Sequence, residues 1–255
     1  LAKVAAPFLG HPKSAPTLHV TLTDTGLDVD VTGVEKKSGG LTADVTARAI
    51  AAAAEADLAR LSLDGDTLVM ARQPRITFGR ASVPLPPASF LQAAPAAEAA
   101  MVSRAVEAVR GARKVADLFC GAGTFTFPLA EVASVVAADS SAAAIAALKA
   151  GAAKAQGLKT IEAQARDLFR RPLSPYDLKG CEAIVLDPPR AGALEQTQQL
   201  PGTKASVVVG VSCNPQTFAR DARVLIDAGF RLEKVTPIDQ FLWSTHVELV
   251  GVFRR

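Results

Sequence analysis

A chain of 255 residues, 49% hydrophobic and 21% charged, can bury one large core or two smaller ones and reads as globular. No apolar stretch runs the roughly 20 residues needed to cross a bilayer, so a membrane partner is not expected. A net charge of +3 permits an acidic partner such as nucleic acid without demanding one.

The first eighty residues read as a small α/β unit. Residues 17–34, TLHVTLTDTGLDVDVTGV, alternate apolar and polar on both sides of Asp24-Thr25-Gly26, which predicts a hairpin. The KKSGG segment, Lys36–Gly40, reads as a loop, residues 41–60 as a helix, and residues 59–71 as a second hairpin around Asp64-Gly65. The expected order is β-β-α-β-β. The Pro-rich stretch ASVPLPPASFLQAAP then marks a boundary near Val83, giving a subdomain over residues 1–82 and a second domain over 83–255.

After that boundary strands and helices alternate. The expected elements are helix Pro95–Arg110, strand Lys114–Phe119, helix Thr124–Val132, strand Ser134–Asp139, helix Ala142–Gln156 and strand Thr160–Ala165. Strand Cys181–Asp187, helix Gly192–Leu200, strand Ala205–Ser212, helix Pro215–Ala228 and two closing strands follow. Such alternation predicts a doubly wound, Rossmann-like α/β domain whose ligand sits outside the carboxyl ends of the strands.

The first of those strands ends in VADLFCGAGTFTFPLA. Gly121 and Gly123 suit a tight turn and close approach of backbone to a ligand, while Thr126 stands where a dinucleotide loop needs Gly or Ala. Asp117, Asp139 and Asp167 lie at or after three consecutive strand ends. A tight turn and a helix cap would explain any one of them; the series points to an adenosyl ligand, with Asp139 facing ribose hydroxyls and Asp167 the adenine.

The fourth strand ends AIVLDPPR. Amino-group methyltransferases place an aromatic after Asp-Pro-Pro, where this chain has Arg190, and cytosine-5 enzymes carry their cysteine in that same motif. Here the cysteine comes one strand later, in Ser212-Cys213-Asn214-Pro215. With DLFCGAGTF, DPPR, SCNP and THVE, residues from about Ser89 onward resemble the RNA uracil-5-methyltransferase family that modifies transfer and ribosomal RNA. The resemblance implies S-adenosyl-L-methionine as cofactor, Cys213 as nucleophile, Glu248 as base, and Gln92, Phe119, Thr124, Asp139, Asp167 and Asp187 around the cofactor and target base. Thr124 replaces a frequent Asn and Asp139 a frequent Glu, each keeping hydrogen-bonding capacity.

The chemistry requires such groups. Carbon 5 of uracil is too weak a nucleophile to take a methyl group until a thiolate has added to carbon 6. A helix N-terminus beside Cys213 is expected to lower its thiol pKa. The carbon 5 proton must then leave to a carboxylate, for which Glu248 is the candidate. Asp187 and Gln92 are expected to read the uracil edge, with Phe119 near the cofactor. Arg190, Arg220 and Arg223 are candidate phosphate holders, although a solvated helix face explains the last two equally well. His246 reads as a structural hydrogen-bonder.

Three cysteines form neither a CxxC pair nor a histidine cluster, so no metal is expected in these residues, and Cys120 and Cys181 read as packing thiols. An odd count of thiols favours the cytoplasm. The chain opens on Leu1 and reads as a fragment; relatives often carry an upstream RNA-binding barrel and iron–sulfur cysteines. The expected partner is RNA, rRNA or tRNA, presenting a single-stranded or flipped uridine to a monomer. Methylation of cytosine or a small molecule, and a noncatalytic RNA-binding module, stay open as alternatives.

Overall fold

The computed structural model of the chain describes residues 1–10, 13–34, 41–241 and 243–255. Two compact units emerge: Leu1–Thr77 with Ser82–Leu91, and Phe78–Ala81 with Gln92–Arg255. The Lys36–Gly40 loop lies outside the described residues.

In the first unit, α1 (Ala2–Ala5) and a 3-10 turn, Ala6–Leu9, precede β1 (Thr17–Thr23), β2 (Gly26–Thr32), α2 (Ala43–Glu55), β3 (Arg60–Leu63) and β4 (Asp66–Met70). The strands lie in that order, antiparallel except for the β2–β3 pair, which α2 connects. Both hairpins form where the turn residues foretell them. Asp64 and Gly65 both take positive φ, 51° and 86°, as a two-residue turn of primed type requires. The Thr42 side chain caps α2 by accepting the Val45 N–H. The helix lays Ala49 and Ala53 on a core of Val4, Phe8, Val29, Val31, Leu61 and Leu63. The sheet also carries a buried charge pair, in which Arg60 donates to both Asp28 oxygens at 2.9 and 2.6 Å.

The α1 segment and a hairpin of β5 (Arg75–Phe78) and β6 (Ala81–Pro84) are additions to the expected elements. Four-residue strands among prolines carry too little alternation to announce themselves.

The second unit runs α3 (Pro95–Ala108), β7 (Lys114–Leu118), α4 (Thr126–Ala130), β8 (Ser134–Asp139), α5 (Ala142–Ala152), β9 (Ile161–Ala165), β10 (Ala183–Leu186), α6 (Leu194–Thr197), β11 (Val207–Ser212), α7 (Pro215–Asp227), β12 (Arg231–Ile238) and β13 (Glu248–Arg254). The helix expected over Gly192–Leu200 breaks after Thr197, and a 3-10 turn at Leu200–Gly202 follows, where Pro201 lacks the N–H to continue a helix. One seven-stranded sheet has the order β12-β13-β11-β10-β7-β8-β9, with every neighbour parallel except those of β13. From β7 the chain winds outward through β8 to β9, then returns to β10 on the other side of β7. That reversal opens a crevice at the carboxyl ends of β7 and β10.

Valine- and alanine-rich strands, covered on both faces, form the core with Leu118, Ile184, Val208, Leu225 and Phe253. Phe218 of α7 packs over Gly210 and Gly251, which pair across β11 and β13; a methyl group at Gly251 would run into its ring.

Candidate active site

The loops after β7, β8, β9, β10 and β11 all leave the same edge of the sheet, and antiparallel β13 begins there. Topology thus gathers residues spread from Phe119 to Glu248. The last pair of β11 and β13 is Ser212–Leu249, and the next residue outward on each strand is Cys213 and Glu248.

After β7, Phe119 turns the chain with φ 65°, a conformation that costs about 1–3 kcal/mol in a residue other than glycine. Its N–H and that of Cys120 both bond the Ala138 carbonyl, and its ring lies 5.5 Å from that of Phe169. Gly121 follows with φ 54° and nothing within 4 Å of the place a Cβ would occupy. The loop therefore keeps an open face at Gly121. Gly123 takes φ 111°, as the tight turn requires, and a Cβ there would also strike Phe127, so its bareness serves packing of α4 as well. Thr124 next to it is half-buried.

Asp139 ties this loop to the end of β8. Its Oδ2 accepts the Gly121 N–H at 2.9 Å and its Oδ1 the Ser141 N–H at 2.8 Å. A carboxylate has about four acceptor positions, so roughly two remain for other donors. Beneath it Asp117 is fully buried, accepts the Thr126 hydroxyl on Oδ2, and leaves Oδ1 without a partner. Burial pushes its carboxyl up to about 7. Thr126, unsuited to a dinucleotide loop, is the donor that this buried acid needs. After β9, Asp167 accepts the Phe169 and Arg170 N–H groups on Oδ1, at 3.0 and 3.2 Å, and its Oδ2 lies 3.7 Å from Arg170.

An open glycine face, an orphaned buried oxygen and three carboxylates at successive strand ends suit a ligand that is cationic and rich in hydroxyls. S-adenosyl-L-methionine has that chemistry, and these residues fit it.

On the other side of the crevice Gln92 donates to Asp187 Oδ2 at 3.4 Å, and Gln240 donates both to Gln92 Oε1 at 3.2 Å and to Glu248 Oε1 at 3.0 Å. Two amides thus join two acids. Gln92, expected around the cofactor and, with Asp187, at the uracil edge, sits beside Asp187. Gln240 went unread in the sequence because a lone Gln in a loop carries no signal until residues 92, 240 and 248 meet. Burial and the neighbouring charges of Glu248 and Asp117 push the Asp187 carboxyl up to about 8, which favours its protonated form at neutral pH. Glu248 is buried and raised by that burial, while Gln240 and Arg190 pull the other way.

Cys213 corrects one expectation. Burial and the Glu248 charge raise its thiol, with Arg190 opposing. A backbone hydrogen bond also lowers it, and Cys213 stands two residues before the first residue of α7, with Asn214 between as the cap. Asn214 takes the Gln216 N–H and Ser212 Oγ takes the Asn214 N–H. Cys120 and Cys181 are both buried.

Of the three arginines, only Arg190 faces the site, its Nη2 lying 2.6 Å from His246 Nδ1. Arg220 is held by Asp221 and the Ala191 carbonyl, and Arg223 pairs with Asp227, so both brace α7 and its surroundings. Among the described residues no group of His, Cys, Asp and Glu could hold a metal, and no helix is long and apolar enough to cross a membrane.

Known proteins are similar to this chain. An RNA methyltransferase of Caulobacter vibrioides, named as uncharacterized, is 64% identical over the whole chain, which covers 61% of that protein. The 23S rRNA (uracil(1939)-C(5))-methyltransferase RlmD of Xanthomonas euvesicatoria is 39% identical over 66% of this chain and 39% of its own length. The crystal structure of the Pyrococcus abyssi tRNA (uracil-54, C5)-methyltransferase with S-adenosyl-L-homocysteine superimposes with a TM-score of 0.72 at 25% identity, over 92% of this chain and 59% of that one. The chain spans about three fifths of the length of the curated relatives most similar to it, 61% and 58% for two of them. The family described as tRNA (uracil-5-)-methyltransferase matches residues 84–255, and the chain belongs to that family.

Proposed function

We propose that the chain is the catalytic part of an S-adenosyl-L-methionine-dependent RNA uracil C5-methyltransferase that modifies a ribosomal uridine. Residues 83–255 form the methyltransferase domain and residues 1–82 an accessory α/β subdomain. The ribosomal assignment is motivated by the Xanthomonas relative named for 23S rRNA, 39% identical over 66% of this chain. The observation that carries the reading is the adjacency of Cys213 and Glu248 across β11 and β13, beside Asp187 and the open face of Gly121.

When bound, S-adenosyl-L-methionine supplies an electrophilic methyl group. Asp139 and Asp167 would hold its hydroxyls and adenine on acceptor positions their backbone bonds leave free. Gly121 gives it room, Phe119 lines its place, and Thr124 offers a hydroxyl.

Cys213 acts on the uracil. Its thiol gives a proton to solvent, sulfur bonds carbon 6, and the C5–C6 π pair moves toward the carbonyl oxygen at carbon 4. A protonated Asp187, steadied by Gln92, donates a hydrogen bond to that oxygen and stabilises the enolate. Once carbon 5 carries the methyl group, Glu248 removes its proton, the C6–S bond breaks, and sulfur recovers its electron pair. Gln240 holds Glu248 in place.

A single chain supplies every one of these groups, in keeping with a monomer, and three unpaired thiols suit the cytoplasm. The experiment is nucleoside mass spectrometry of substrate RNA after incubation with wild type and Cys213→Ala. Wild type should form 5-methyluridine, and the variant should lose at least about a thousandfold in rate, as expected when a nucleophile is removed. 5-Methylcytidine in place of 5-methyluridine would favour the cytosine alternative.

A further inference from the structure

The loop from Asp239 to Val247 joins β12 to β13 at the carboxyl edge and leads into Glu248. Side chains hold it in shape: Asp239 Oδ1 accepts the Phe241 N–H, Ser244 Oγ accepts the His246 N–H, and the Ser244 N–H closes on the Phe241 carbonyl. Just before that closure stands Trp243, with φ 68° and its side chain 103% exposed.

Both facts work against the fold. Left-handed backbone costs an ordinary residue about 1–2 kcal/mol, and turns that need it use Gly, Asn or Asp. Asp57 and Asp64 follow that rule, whereas Ala88 and Phe119 share the strained backbone with Trp243. A bare indole in water gains nothing from burial within the chain. Folding alone would put glycine at this position.

Residues near Trp243 along the same loop, and the cation they reach, indicate what the indole is placed to meet. Phe241 lies 6.4 Å, ring to ring, from His246, and His246 lies against the exposed guanidinium of Arg190, whose charge acts on both Cys213 and Glu248. An aromatic face, a second ring and a cation beside the reacting groups form the combination that holds single-stranded nucleic acid, in which bases stack and phosphates pair. We propose that Trp243 is a stacking platform for a nucleobase of the RNA strand that presents the target uridine. The proposal rests on the RNA-directed reading above and adds the residue that grips the strand.

Trp243 is the single tryptophan of the chain, so its fluorescence reports on the site directly. The full chain is titrated at low ionic strength with a dye-labelled, uridine-containing single-stranded RNA, following anisotropy and indole emission together. The expected result is quenching that saturates with the anisotropy rise. Trp243→Ala should bind about 5- to 100-fold more weakly, the effect of losing one stacked base, while Trp243→Phe keeps most of the affinity. Trp243→Gly should bind as weakly as the alanine variant yet melt at or above the wild-type temperature, because glycine relieves the backbone.

Binding without quenching, absence of binding, equal affinity in wild type and Trp243→Ala, or a lower melting temperature for Trp243→Gly would each overturn the proposal. The methyltransferase reading fails separately. RNA that quenches Trp243 but gains no 5-methyluridine counts against that reading and leaves the platform standing.

Discussion

Asp187 and Asp117 are acids held partly or wholly proton-bound by burial, and their consequence can be measured without substrate. For Asp187 the ordinary value is 3.8 and the folded value about 8, so between those limits the folded chain binds a proton that the unfolded chain has released. Stability therefore falls as pH rises through that window and levels off above it. Asp187→Asn removes this dependence. Its stability relative to wild type should grow from about pH 4 to about pH 8, by up to about 6 kcal/mol, the free energy that a change of that size carries, read as melting temperature across a pH series. A flat difference would mean that Asp187 is ionised in the folded chain. Asp139 makes a different kind of bond, since it spends one oxygen on the Gly121 N–H. Asp139→Ala should weaken S-adenosyl-L-methionine binding by about 1–3 kcal/mol in calorimetry, and unchanged affinity would remove it from the cofactor site. Both acids were legible in the sequence because each closes a strand. Gln240 was not, and the direction of the Cys213 shift was hidden because it depends on a carboxylate thirty-five positions away in the chain, Glu248.

At the scale of elements, strand and helix periods are readable wherever a segment is long enough to repeat them. The strands from β7 to β11 and the helices α3, α5 and α7 fall within a few residues of expectation, since valine- and alanine-rich runs bounded by Gly, Pro and Asp leave little choice, and the two closing strands, expected without bounds, form as β12 and β13. Shorter pieces escaped: α1, the β5–β6 hairpin and the break at Pro201 depend on packing or on one residue. Also invisible was the partner of Arg60. Parallel pairing of β2 with β3 sets Asp28 opposite Arg60, and both are buried. Removing one partner strands a charge, so Asp28→Leu alone should cost about 3–5 kcal/mol in urea denaturation. Asp28→Leu with Arg60→Met should cost clearly less than either single change. Additive losses would show that each residue acts independently of the other.

The whole molecule brings one acid pair, one thiol and one glycine loop from distant parts of the chain to a single edge, which the order β12-β13-β11-β10-β7-β8-β9 makes unavoidable. That order also explains why Glu248 opens a strand while Cys213 directly follows one: β13 runs against its neighbours, so its beginning meets their ends. With a net charge of only +3, little of the RNA grip can be unspecific attraction, and binding should be weak and fall with added salt. The central claim is covalent chemistry at Cys213, and RNA with 5-fluorouridine at the target position interrogates it most directly. Glu248 can take a proton from carbon 5 but cannot take fluorine, so the adduct should form, survive denaturing electrophoresis and vanish in Cys213→Ala. Glu248→Gln should accumulate an adduct even on ordinary uridine, because sulfur addition precedes the step it blocks. A methylated product from Cys213→Ala, or no trapped species with an RNA that wild type methylates, would contradict the account and return Cys213 to the role of a packed thiol.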